Sequence, residues 1–258
     1  MEGQTTVATQ VNPAAATELR AVLAEVGARV SDVFGADSML WVEGATEEAC
    51  FPLIRERGRQ STDRATGTVI LGVTHTADFE PGDAQATVEI YRRLTTAQAL
   101  MPQAVGFIFD ADGRSPEGQR EIARRSGDLV RFLPRRMFEN YILNPGAIAA
   151  ALKELDNQRA GPPIASTDVS GWLNQHKWDA EYFDRPVAPE LRTDEVLWVR
   201  SVHGAKLLKK AFRDLTETRV SYDKVRHGLM LTTWLCANDF DSLRDIDALI
   251  REAVAKVA

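Results

Sequence analysis

Apolar residues follow two rhythms along this chain. Short unbroken runs occur at Ser38-Met39-Leu40-Trp41-Val42 and over residues 68–73, 104–109 and 129–133. Runs of that length without alternation predict strands buried on both faces. Between them apolar residues recur at helical spacing, over residues 46 to about 57, 83–101 and 116–125. Strands alternating with such helices predict an α/β fold, a parallel sheet with helices on both sides. Ahead of the sheet, Leu19, Val22, Leu23, Val26 and Val30 predict an amphipathic helix over 13–34, after a polar tail at 1–12.

Beyond Pro145 the strand signal stops. Residues 147–154, 193–199, 205–215, 222–236 and 240–257 read as helices, 156–170 as a Gly/Pro-rich connection, and 171–183 as an aromatic segment with Trp172, Trp178, Tyr182 and Phe183. The pattern divides the chain into a tail and helix (1–37), an α/β catalytic part (38–145) and a separate all-helical domain (146–258), against which the N-terminal helix is expected to pack.

Composition narrows the function classes. With 258 residues, 44% hydrophobic and 26% charged, the chain can bury a large core and is not grossly disordered. Two cysteines, Cys50 and Cys236, exclude a disulfide framework, and no apolar run reaches bilayer-spanning length, so a cytoplasmic protein with no membrane partner is expected. The balance of 37 acids against 31 bases, net −6, argues against nucleic-acid binding by bulk positive charge but leaves room for a local basic groove. His75, His176, His203 and His227 lack zinc-site spacing.

The acids are placed suggestively. Glu43 and Glu47 follow the first strand in Val42-Glu43-Gly44-Ala45-Thr46-Glu47, while Asp110 and Asp112 follow the third in Phe109-Asp110-Ala111-Asp112-Gly113. Carboxyl ends of parallel strands form the rim where ligands bind. Carboxylates gathered there repel one another, and magnesium or manganese, which prefer oxygen donors, would relieve that repulsion. Gly44 is expected to permit a sharp strand-to-helix turn, and Asp110 and Asp112 to share one face. Taken singly, Glu47 reads as a helix-start carboxylate and Asp112-Gly113 as a turn.

The two motifs together resemble the Toprim catalytic domain of bacterial-type primases, topoisomerases and several nucleases. Leu133-Pro134-Arg135-Arg136, Glu139-Asn140-Tyr141-Ile142-Leu143 and Gly204-Ala205-Lys206-Leu207-Leu208-Lys209 further resemble the C-terminal nuclease region of the OLD (overcoming lysogenization defect) family, over roughly residues 38–215. The resemblance implies a Rossmann-like Toprim sheet flanked by helices, and a DNA endonuclease or nickase. It implies two Mg2+ or Mn2+ ions about 3.5–4 Å apart, one activating water and one steadying the leaving oxygen. By the same resemblance Glu43, Glu47, Asp110, Asp112 and Glu139 are the metal ligands, with Glu43 also catalytic. Lys206 is the best candidate for a cation that stabilises the transition state. Arg135, Arg136, Arg200, His203, Lys209 and Lys210 are candidate DNA contacts.

Full-length OLD proteins carry an ABC-type ATPase before this region. No G-x-x-x-x-G-K-[ST] loop occurs here, so no ATP site is expected in this chain and it looks like the isolated nuclease region. The ATPase region is the partner implied for the full-length protein, where a homodimer is possible. Two other readings stay open. Phe109–Gly113 also fits the nucleophile motif of a haloacid-dehalogenase-type phosphatase, although that leaves Glu43 and Glu47 without a role. A non-catalytic DNA-binding Toprim module is the other.

Overall fold

The computed structural model describes residues 36, 38–59, 67–72, 103–112 and 114–255. The tail, the expected helices over 13–34 and 83–101, His75 and Gly113 lie outside the described residues. Four strands are seen: β1 (Ser38–Val42), β2 (Thr68–Gly72), β3 (Gln103–Phe109) and β4 (Val130–Phe132). They form one all-parallel sheet in the order β2-β1-β3-β4. Eight α-helices among the described residues accompany it: α1 (Ala45–Gly58), α2 (Pro116–Arg125), α3 (Pro145–Leu155), α4 (Ser166–His176), α5 (Glu195–Ser201), α6 (Gly204–Leu215), α7 (Lys224–Asn238) and α8 (Arg244–Ala255). The α/β class with a parallel sheet is therefore the observed one.

β1 is buried along its whole length, as its unbroken apolar run requires. Val42 stands opposite Gly72 on one side and Ile108 on the other, so β1 and β3 end nearly flush. The chain builds outward from β1 to β2, then resumes on the opposite side with β3. In such sheets the carboxyl ends of the strands beside that reversal, here β1 and β3, border the crevice where ligands usually bind.

α8 packs on β1, β3 and α1, while α7 packs on α1 and α3. One apolar cluster accordingly runs from Leu40, Val42 and Ile108 into Ile148, Leu231, Leu235 and Ile250. α1 continues through Pro52, which is exposed and so faces its missing N–H and ring toward solvent. α4 begins inside the stretch expected to be a connection, at Ser166, where the Asp168 carboxylate accepts the Ala165 N–H at 2.8 Å.

Two buried polar side chains tie the sheet rim to the later helices. Asn140 Nδ2 donates to the Val199 and Val202 carbonyls at 2.7 and 3.0 Å, and its Oδ1 accepts the Gly204 N–H at 3.0 Å. Arg136 donates from Nη1 to the Ser201 carbonyl at 2.7 Å and from Nη2 to Asp184 at 2.9 Å. A Cβ on Gly204 would lie 2.1 Å from Asn140 Oδ1 and 3.0 Å from the Asn140 backbone nitrogen. Gly204→Ala is expected to destabilise the fold by about 1–3 kcal/mol, as overpacking of a buried joint does. Urea unfolding of the two proteins measures it, and an unchanged midpoint would contradict this close approach.

Candidate functional site

The crevice is lined by acids from four places in the chain. Glu43 follows β1, and its Oε2 accepts the backbone N–H of Asp110 at 2.8 Å. Asp110 follows β3, and its Oδ1 accepts the Phe138 N–H at 3.0 Å. Glu47, 7% exposed, sits in the first turn of α1, where the helix dipole favours a carboxylate. Glu139 lies in a short 3-10 turn (Phe138–Asn140) after β4 and is 1% exposed.

These four carboxyls repel one another. Burial pushes the Glu47 pKa up to about 7, with the Glu139 charge next and a smaller push from Glu43. Burial raises Asp110 well above the usual carboxylate range, reinforced by Glu47, Glu43 and Glu139 and opposed by the Phe138 N–H. Glu139 Oε2 is buried without a hydrogen-bond partner. Its Oε1 meets Lys224 Nζ at 2.8 Å, at the start of α7.

The other expected site residues are distributed differently. Asp112 does not join the four: its side chain is half exposed, its φ is +29°, and its nearest ionic partner is Arg136 at 3.6 Å. β3 ends at Phe109, so strand alternation no longer places Asp112 beside Asp110; instead its N–H turns to the Arg136 carbonyl at 2.9 Å. Gly44 has extended backbone (φ −146°, ψ 178°) that any residue can adopt, so its turn needs no glycine. The constraint there is space, since a Cβ would come 3.1 Å from Glu47 Oε2.

Arg135 and Arg136, expected at a DNA surface, are engaged within the protein. Arg135 donates to the Asn140 carbonyl at 2.9 Å and lies over the Tyr141 ring, while Arg136 is 5% exposed and held as described. Tyr141 is buried, and its hydroxyl accepts the Arg135 N–H at 3.3 Å. Arg200, Lys206 and Lys209 are exposed. Lys206, Lys209, Lys210 and Arg213 line a cavity of about 370 Å³ with Tyr182, Thr218 and Ser221. His203 caps α6 through Nδ1, and burial, then the Arg136 and Lys206 charges, lower its pKa.

Lys224 is a cation that lies against the acids, a role the sequence does not assign it. The available signal was Asp223 and His227 bracketing a helix start: Asp223 accepts the Arg226 N–H at 2.7 Å, and His227 Nδ1 accepts the Asp223 N–H at 2.9 Å. The donor set is hard oxygen with one orphaned buried atom, which suits magnesium or manganese. Among the described residues no three His, Cys, Asp or Glu side chains form a ready coordination shell, so these carboxylates would have to close on an ion. No helix among the described residues is long and apolar enough to cross a membrane.

No family model matches the chain, and no curated protein matches it. Among solved structures it is similar to the C-terminal region of the Burkholderia pseudomallei OLD protein, at 13% identity and a TM-score of 0.43, over 86% of this chain and 100% of that one. A likeness that slight bears on neither fold nor chemistry.

The raised pKa values set a pH dependence. Glu47 and Asp110 bind protons more tightly folded than unfolded, so their contribution to stability is full below the ordinary carboxylate range. For Glu47 it is lost as pH rises from about 4.5 to about 7. Metal-free protein is expected to melt at lower temperature across that window, and Glu47→Gln to show a shallower fall and a higher Tm at pH 8. Thermal denaturation against pH in EDTA tests this; parallel curves for the two proteins would contradict it.

Proposed function

We propose that this chain is a divalent-metal-dependent nuclease that hydrolyses phosphodiesters in DNA, with Glu43, Glu47, Asp110 and Glu139 as its metal-binding carboxylates. One observation carries the reading: four carboxyls from separate elements meet at the reversal point between β1 and β3, two of them with strongly raised pKa. A cluster that costs stability in the folded protein, at the rim where α/β sheets bind ligands, is a functional-site signature. The OLD and Toprim motifs quoted from the sequence agree with that chemistry. Magnesium or manganese bound there would polarise the phosphate and lower the pKa of an attacking water.

The chain's own groups do the rest. Glu43 is braced by the Asp110 N–H, which fixes a carboxylate at the end of β1. Asp110 is braced in turn by the Phe138 N–H, which couples it to the turn bearing Glu139. Lys206, exposed on α6 beside His203, supplies positive charge for the developing phosphorane. The strand lies along Arg200, Lys206, Lys209 and Lys210, held by phosphate contacts that carry no base preference.

Plasmid cleavage in Mg2+ or Mn2+ tests the reading. Wild type is expected to nick or cut, EDTA to stop it, and Glu43→Gln and Asp110→Asn each to lower turnover on the order of 100-fold or more. Loss of p-nitrophenyl phosphate hydrolysis on Asp110→Asn, with retention on Glu43→Gln, would favour the phosphatase. Folded protein that binds DNA tightly and cleaves nothing with any divalent ion would favour the binding module. Lys206→Ala is expected to lower turnover while leaving metal affinity unchanged.

A further inference from the structure

We infer that Lys224 is a built-in cation that holds the acid cluster together when no metal is bound and swings out when metal enters. The inference rests on the metal-site reading above and adds a residue and an exchange to it. Glu139 is 1% exposed, and Lys224 Nζ lies 2.8 Å from its Oε1 while Oε2 has no hydrogen-bond partner. A buried carboxylate left without a counter-charge is costly, and here three further carboxyls crowd it. The Lys224 charge also reaches Glu47 and Asp110.

The placement of Lys224 runs against local preference. It is the first residue of α7, where the helix dipole disfavours a cation, so the favourable term must come from outside the helix. Its backbone is fixed by the Asp223–His227 brace, with the His227 ring stacked on Phe212 at 5.3 Å in the core. Its side chain, by contrast, is 58% exposed on a flexible four-carbon stem. A fixed root and a free stem let the ammonium leave for solvent without disturbing the helix. A divalent ion, carrying twice the charge and accepting several oxygens, would displace it.

Two measurements on the intact chain test this. In calorimetric titrations with Mn2+, Lys224→Met is expected to bind about tenfold more tightly than wild type, because metal no longer competes with an ammonium. Metal-free Lys224→Met is expected to melt lower than wild type, and saturating Mn2+ to restore it. Wild type binding Mn2+ as tightly as the variant, or more so, overturns the exchange while leaving the metal site standing. No Mn2+ binding by either protein overturns both. The second measurement needs no variant: acetylation of Lys224 in wild type, read by mass spectrometry, is expected to rise severalfold with saturating Mn2+, relative to Lys153 on α3. Unchanged labelling of Lys224 with Mn2+ bound overturns the exchange.

Discussion

Like charges forced into one crevice govern this structure. The β-sheet brings the ends of β1 and β3 side by side, and each strand delivers a carboxylate where it stops. The first turn of α1 adds Glu47 and the turn after β4 adds Glu139, both buried. Glu43 and Asp110 are bonded to backbone N–H groups, and Glu47 and Glu139 are buried. The fold therefore stores electrostatic repulsion at one place and offsets it partly with Lys224. Burial of β1 along its whole length, and a core reaching into α7 and α8, give the framework that tolerates this cost.

What could be read from sequence was what is local. The apolar runs over 38–42, 68–73, 104–109 and 129–133 mark the four strands, because a doubly covered parallel sheet leaves no polar face to mark. Glu43, Glu47 and Asp110 could be placed because each lies within five residues of a strand end. Asp112 could not, since strand alternation ceases at Phe109 and a left-handed residue turns the chain. Lys224 was hidden for a different reason: its distance to Glu139 depends on how α7 packs on α1 and α3, which no short-range pattern encodes. Arg135 and Arg136 look like a basic surface in sequence, yet one stacks on Tyr141 and the other is buried among carbonyls and Asp184. The start of α4 was concealed by the Gly and Pro residues just before it.

Positive charge is thus divided by role. Arg135 and Arg136 bind the protein to itself, Lys224 answers the acids, and the exposed face of α6 carries Lys206, Lys209, Lys210 and Arg213 at a spacing that keeps them on one side while Leu207, Leu208, Ala211 and Phe212 enter the core. The net charge of −6 conceals this separation, because it averages a basic helix face with an acidic crevice.

The Asn140 joint has a consequence for how such a protein can change over time. All three of its hydrogen bonds go to backbone atoms between Val199 and Gly204, so the approach of the Glu139 turn to the start of α6 is set by one side-chain amide and not by the identities of residues across from it. Sequence on the surrounding surfaces can drift widely while that spacing persists. The asparagine and its glycine cannot drift separately: an aspartate would present oxygen to two carbonyls, and any larger residue at 204 would collide with the amide.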